Sequence, residues 1–219
     1  MSKIKAVASP NLILAPTEYS QIRDEQLNNE LRLYFNRLNT YLNVLQDSSG
    51  GSSLSMPHIA ASSNVDQYAS GDDVPTLVLW DTLDSGEGFT LNSDNTATAL
   101  EDGIYNIDFG IQLANTDNTL HNAKLWLRVD NEDVPRSSVV FTMPARKSAG
   151  VPFLLLGSTS LTFEILAGQK IGLYWVTEQA YESGVQDGVY LWYEAATTTP
   201  YVSPATPSAI GAITFVSRN

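Results

Sequence analysis

The groups available for chemistry are narrowly chosen: two histidines, no cysteine, and 24 carboxylates against 12 basic side chains. A serine or threonine nucleophile needs a base beside it. Only His58 and His121 could serve, both in loop-like contexts, and no Gly-x-Ser-x-Gly elbow occurs. They read as surface or packing histidines. Neither has the closely spaced companions of a His/carboxylate metal site, and no glycine-rich phosphate loop precedes a helix. Without cysteine there are neither disulfides nor thiolate ligands. Carboxylates remain, and a glycosidase would need two of them about 5–10 Å apart across a cleft. Asp72-Asp73, Glu101-Asp102 and the run Asp130 to Asp133 read instead as solvated turn residues. The last run could bind calcium weakly, although it lacks the Asp-x-Asp-x-Asp-Gly order of a dedicated loop. Asp108 stands apart, in the middle of a strand pattern. No catalytic residue and no cofactor is expected.

The elements that would carry these groups fall into two kinds. From Thr17 to Leu45 the period is helical: Leu31, Tyr34, Leu38, Tyr41 and Leu45 recur at spacings of three and four. Phe35 and Leu42 widen that stripe, and Leu27 extends it. Thr17 suits an N-cap, with Glu18 in the favourable first turn. Residues 1–16 read as an extended arm, since Pro10 and Pro16 oppose helix. Residues 47–55, rich in Gly and Ser, read as a flexible linker. One helix with an apolar stripe cannot bury it alone, so residues 1–46 are expected to serve attachment and oligomerisation.

From residue 56 onward the period is two. Tyr105, Ile107, Phe109, Ile111 and Leu113 face one way; Asn106, Asp108, Gly110 and Gln112 face the other. Thr76–Trp80 has the apolar run of a buried strand, and Leu125, Leu127 and Val129 alternate with polar neighbours toward a hairpin tip at 130–133. Further strands are predicted at 139–143, 153–156, 161–165, 171–176, 189–193 and 212–216. Short strands punctuated by Gly, Pro and Asp/Asn over 56–219 predict a mainly β, jelly-roll sandwich behind the arm and one long amphipathic helix.

Hydrophobic residues at 43% describe a folded chain, while 16% charged is below the usual quarter and suits a surface partly covered by neighbours. Residues 1–50 carry five bases and five acids. The remaining seven bases and nineteen acids give 7 − 19 = −12, the whole net charge. An acidic body repels phosphate backbones and anionic lipid, so nucleic acid is excluded as a partner. The opening MSKIKAVASPNLILAP is a poor signal peptide because Pro10 and Asn11 break its apolar run. No stretch approaches the roughly twenty apolar residues of a membrane span, and no Asn-x-Ser/Thr acceptor occurs. A soluble protein made in cytoplasm, without membrane insertion, is expected.

Aromatics concentrate late, at Tyr174, Trp175, Tyr190, Trp192 and Tyr193. Consecutive aromatics cannot all enter one core. Trp175, Trp192 and Tyr193 are therefore candidates for the head's surface, in subunit contact or stacked on a sugar ring.

The stretch from Gly103 resembles the jelly roll shared by complement globular heads and tumour necrosis factor. Gly103-Ile-Tyr105-Asn-Ile107 is similar to that family's Gly-x-Tyr-x-Phe strand, and Leu161-Thr-Phe-Glu-Ile-Leu-Ala-Gly168-Gln-Lys-Ile171-Gly-Leu173 to its late hairpin, with Gln169 where an acid is usual. The end departs from the family: residues 197–208 are an insertion that leaves the last strand order open. The leader, Leu14-Ala-Pro-Thr-Glu-Tyr19 with Leu31-Arg-Leu-Tyr-Phe35-Asn-Arg-Leu38, resembles that of structural proteins in tailed bacteriophages of marine bacteria. Both resemblances imply a homotrimer. Together they imply a non-enzymatic virion component (fibre, knob or decoration protein) assembled in the host cytoplasm, docking to other virion proteins through residues 1–46 and displaying the head, with host surface glycan as a further partner. The alternatives are a soluble glycan-binding lectin and a carboxylate-dependent polysaccharide hydrolase.

Overall fold

A computed structural model describes Pro10, residues 21–46 and residues 56–217. The cap at Thr17, the linker at 47–55 and the arm apart from Pro10 lie outside them. The chain divides into two units, 1–55 and 56–219. In the first, helix α1 spans Gln21–Gln46. This stretch holds neither Gly nor Pro, and Asp24 sits in its first turn, where a negative charge meets the positive end of the helix dipole. Gln21 Nε2 donates to Glu25 Oε1 at 3.1 Å, one turn on. At 1.5 Å per residue α1 is about 39 Å long.

The regular elements of the second unit are all strands among the described residues. Its elements are β1 (His58–Ser63), β2 (Gln67–Tyr68), β3 (Thr76–Leu77), β4 (Thr82–Glu87), β5 (Phe89–Leu91), β6 (Ala97–Ala99) and β7 (Gly103–Asn115). There follow β8 (His121–Val129), β9 (Glu132–Asp133), β10 (Val139–Met143), β11 (Phe153–Ile165), β12 (Lys170–Thr177), β13 (Val189–Leu191) and β14 (Ala209–Ser217). In the first sheet β7 pairs with β11 along one side and with β14 and then β13 along the other; β14 carries β1, β1 carries β4, and β13 carries β2. The second sheet runs β10-β8-β12-β6-β5, with β3 added to β12 and β9 to β8. All pairings between these named strands are antiparallel, and the chain passes back and forth between the sheets in the manner of a jelly roll.

The alternation of β7 sets the core. Tyr105, Ile107, Phe109, Ile111 and Leu113 are all buried, facing Leu125 and Leu127 of β8 and Leu173 and Trp175 of β12. The hairpin tip predicted at 130–133 is present. Asp130 and Asn131 take φ of 51° and 71°, the left-handed pair that a two-residue turn between β8 and β9 requires. Gln169 closes the turn before β12: its Oε1 accepts from Leu166 N at 2.8 Å.

Three strand predictions are corrected. Thr76–Trp80 is not one strand. After Val78 N donates to Leu173 O, side-chain amides take over: Gln67 Oε1 accepts from Leu79 N and Asn95 Oδ1 from Trp80 N, each replacing a ladder bond. The segments 153–156 and 161–165 are one strand, because the small residues 157–160 continue the ladder with β7 instead of turning. Gly157 suits that position, since a Cβ would lie 3.0 Å from the Phe141 ring and the ring would have to shift. Finally, β13 ends at Leu191, where Asp66 Oδ1 captures Tyr193 N at 2.8 Å. The segment beyond leaves and returns at one residue: Trp192 N donates to Gln112 O, and Gln112 N to Ser208 O. Beyond Tyr193 it forms β-bridges with itself, Glu194 to Thr206 and Thr197 to Ser203.

Trp175 lies fully buried at the centre, and its Nε1 meets no acceptor among the described residues. Trp175→Phe removes that unsatisfied donor and keeps most of the volume, so urea denaturation should show a loss of about 1.5 kcal/mol or less. Trp175→Ala should cost about 3–5 kcal/mol.

Candidate functional site

Neither histidine is arranged for catalysis. His121 is buried, and its Nε2 approaches both Asp117 Oδ2 (2.7 Å) and Thr119 Oγ1 (3.1 Å). A relay needs the orienting acid and the nucleophile on opposite ring nitrogens; here both crowd one nitrogen, and the Thr119 hydroxyl itself donates to Asp117 at 2.6 Å. This is a structural knot. His58 Nδ1 faces the Met56 carbonyl at 3.0 Å.

Several carboxylates are spent on the backbone. Asp72 accepts from Ala180 N, Asp81 from Asn64 N, Asp102 from Ala167 N, Asp130 from Lys170 N and Glu178 from Asn122 N. In the run considered for calcium, Asp133 Oδ1 receives both Arg128 Nε at 2.6 Å and Trp126 Nε1 at 2.7 Å. Among the described residues no group of three or more His or carboxylates is placed to hold a metal ion.

The helix residues read as an interface are distributed over one broad face. Leu27, Leu31, Tyr34 and Leu38 are half-buried, while Phe35, Tyr41 and Leu42 are exposed. Phe35 meets Tyr34 edge-on at 5.5 Å. Leu45 is helical, and its side chain lies outside the described residues.

Sequence reasoning placed Asp108 on the outer face of the first sheet but missed the residues that neighbouring strands bring beside it. The register sets Ser160, Asp108, Ala212 and Ala60 in one row across four strands, and Ser158, Gly110, Ile210 and Ser62 in the next. Apart from Asp108 and Ile210 the side chains along both rows are small, and the surface forms a broad shallow depression. Leu156 and Ile210 stand above it, 59% and 52% exposed, and lean over Gly110 from either side. Leu154 is exposed beside them. The outer edge of β11 has no partner strand among the described residues, nor has that of β10, where Val140 is exposed. Leu154 and Leu156 could have been found from the two-residue alternation, had 153–165 been read as one strand.

The aromatic candidates separate. Trp175 is corrected: it is 0% exposed, because odd positions of β12 point into the core, so it offers no surface. Trp192 and Tyr193 are half-buried beyond the end of β13. Tyr190 joins two rings that the sequence separates widely. Tyr68, Tyr181 and Tyr190 lie with centroids 5.1–5.7 Å apart. Burial first, and then Asp66, pushes the Tyr190 phenol up to about 12. On the second sheet's outer face Trp126 stacks with Tyr174 at 6.3 Å, and the Arg128 guanidinium sits 4.3 Å from the Tyr174 centroid.

No family model matches this sequence, and no curated protein does. Among solved structures the chain is similar to one described as the structure of Eiger TNF from S. frugiperda, with 11% identity and a TM-score of 0.45 over 75% of this chain and 95% of that one.

Four carboxyls are held below their ordinary values: Asp117 by the Thr119 hydroxyl and then His121, Asp94 by Thr96, Glu178 by Asn122 and Asp133 by Arg128. A depressed carboxyl contributes stability that is complete above its unfolded value and is lost as pH falls through its folded one. Melting temperature should therefore stay level above the ordinary carboxylate range and fall on acidification through and below it. Asp117→Asn should flatten part of that fall; an unchanged acid slope in this variant would remove Asp117 from the account.

Proposed function

We propose that this protein is a non-enzymatic structural component of a virion, a self-associating β head carried on a docking helix. The observation that carries self-association is the strand β11. It is thirteen residues long, one side is open among the described residues, and its only charged residue is Glu164. Soluble proteins protect such edges with lysine, proline or a bulge, and 153–165 has none of these. Next to it stand Leu154, Leu156 and Ile210 over a face of Gly, Ala and Ser. In our reading the β10/β11 edge of one copy covers the outer face of the first sheet on the next. Two different surfaces then meet, a head-to-tail contact that stays finite only by closing into a ring. Three copies is the number that both family resemblances imply.

The virion assignment rests on the leader's likeness to marine tailed-phage structural proteins at 14–19 and 31–38. Supporting it is a helix with Phe35, Tyr41 and Leu42 exposed, a stripe available to another virion protein. The acidic head carries the whole charge of −12, which suits display in solution over contact with packaged nucleic acid.

Light scattering of the purified protein should give three times the chain mass at micromolar concentration. Leu156→Arg, at an exposed position, should yield folded monomers with an unchanged circular dichroism spectrum. Removal of 1–46 should leave a folded, trimeric head that no longer enters particles. A full-length monomer would end the self-association reading, and a truncated head that is still packaged would end the docking one.

A further inference from the structure

Three inward positions of the sandwich that meet at one place carry almost no side chain: Ala61 of β1, Ala97 of β6 and Gly211 of β14. Ile59 and Ile213, two residues away on β1 and β14, are full-sized. The small residues leave a pocket of about 50 Å³ between the two sheets. A water molecule needs about 10–15 Å³ of such space and two to four polar partners. The pocket exceeds the first requirement and fails the second. Among its lining side chains the only polar groups are the Trp80 indole N–H and the Asp108 carboxylate. The latter lies on the opposite face of β7, where it accepts from Asn106 Nδ2 at 2.6 Å. The lining can therefore solvate an apolar guest far better than a polar one.

Its mouth is formed by Trp80 and Leu91, the inward side chains of the lining that are only half-buried. The Trp80 indole lies in the slot that Gly211 leaves open: a Cβ there would meet Trp80 Cη2 at 2.9 Å. The backbone that carries this ring belongs to no strand. Trp80 N donates to Asn95 Oδ1 at 2.9 Å, and the adjoining Leu79 N to Gln67 Oε1 at 2.8 Å. Such a ring can swing aside at the cost of side-chain bonds alone, with every sheet ladder intact.

We propose that this pocket is a binding site for a small uncharged hydrocarbon, held between Ala61, Ala97 and Gly211 under Trp80 as a lid. The site goes beyond the assembly reading and does not rest on it. It lies on the inner side of the first sheet, whereas Leu154, Leu156 and Ile210 stand on the outer side.

Full-length protein should be titrated with xenon, a small apolar probe, and followed by xenon NMR and by methyl proton–carbon spectra. A saturable xenon shift should appear, with methyl perturbations confined to Ile59, Leu91, Leu173 and Ile213. Ala97→Leu fills the pocket from the second sheet and should weaken xenon binding about tenfold or more. Ala61→Val fills it from the first sheet and should act in the same direction, so the test survives if one variant does not fold. Trp80→Ala removes the lid and should let benzene bind about tenfold more tightly than it binds the unaltered protein. Absence of a saturable shift overturns the proposal, as does xenon binding that survives both filling substitutions. Methyl perturbations confined to the outer depression at Leu156 and Ile210 overturn it as well. Benzene affinity unchanged by Trp80→Ala overturns the lid. Since Leu156→Arg should leave xenon binding intact, failure here is separable from failure of the assembly reading.

Discussion

The ladder between β7 and β11 runs unbroken from Phe153 opposite Asn115 to Ile165 opposite Gly103, and the rest of the head is arranged around it. On its other side β7 receives β14 and β13 end to end, so one strand holds three others in register. Side chains alternate strictly along such a strand, and a slip of one residue would exchange its two faces. That exchange would bring Asp108 and Asn106 into the core and send Tyr105, Ile107 and Phe109 to solvent. The penalty pins the register, and with it the depression around Gly110 and the open edge of β11. Core and candidate interface are thus two faces of one constraint.

Much of this was legible along the chain. The alternation at 104–113 marked β7 and its buried face, and the run at 130–133 marked a tight turn, because both signals are local. What the sequence hid depended on partners far away. Residues 76–80 looked like a strand, yet Gln67 and Asn95 supply the bonds that a neighbour would have made. Residues 153–165 looked like two strands because Gly157 to Ser160 have turn-like composition. Only the Phe141 ring packed against Gly157 shows why a small residue sits there. Trp175 carries the same surface signal as Trp192 in composition, and only its parity along β12 sends it inward. The Tyr68, Tyr181 and Tyr190 cluster joins residues more than a hundred positions apart, a relation that no spacing rule reaches.

The strong negative charge has a structural origin of the same kind. Turn after turn is closed by a carboxylate accepting a backbone N–H, as at Asp66, Asp72, Asp81, Asp102 and Asp130. Without cysteine to staple its connections, the head stitches them with acids. Hydrogen bonding to the ionised form lowers a carboxyl's pKa, which accounts for Asp94, Asp117, Asp133 and Glu178 all moving downward. The acidity belongs to the architecture of the loops, and it also discourages polyanions from the surface.

The excursion between β13 and β14 begins and ends on the two backbone groups of Gln112, and its own bridges close it upon itself. Its length and composition are thereby uncoupled from the sheet below, since enlarging a closed loop adds entropy cost only logarithmically. Such a port lets foreign segments be spliced into the head, or lets natural variation accumulate at one spot, while the framework keeps its shape.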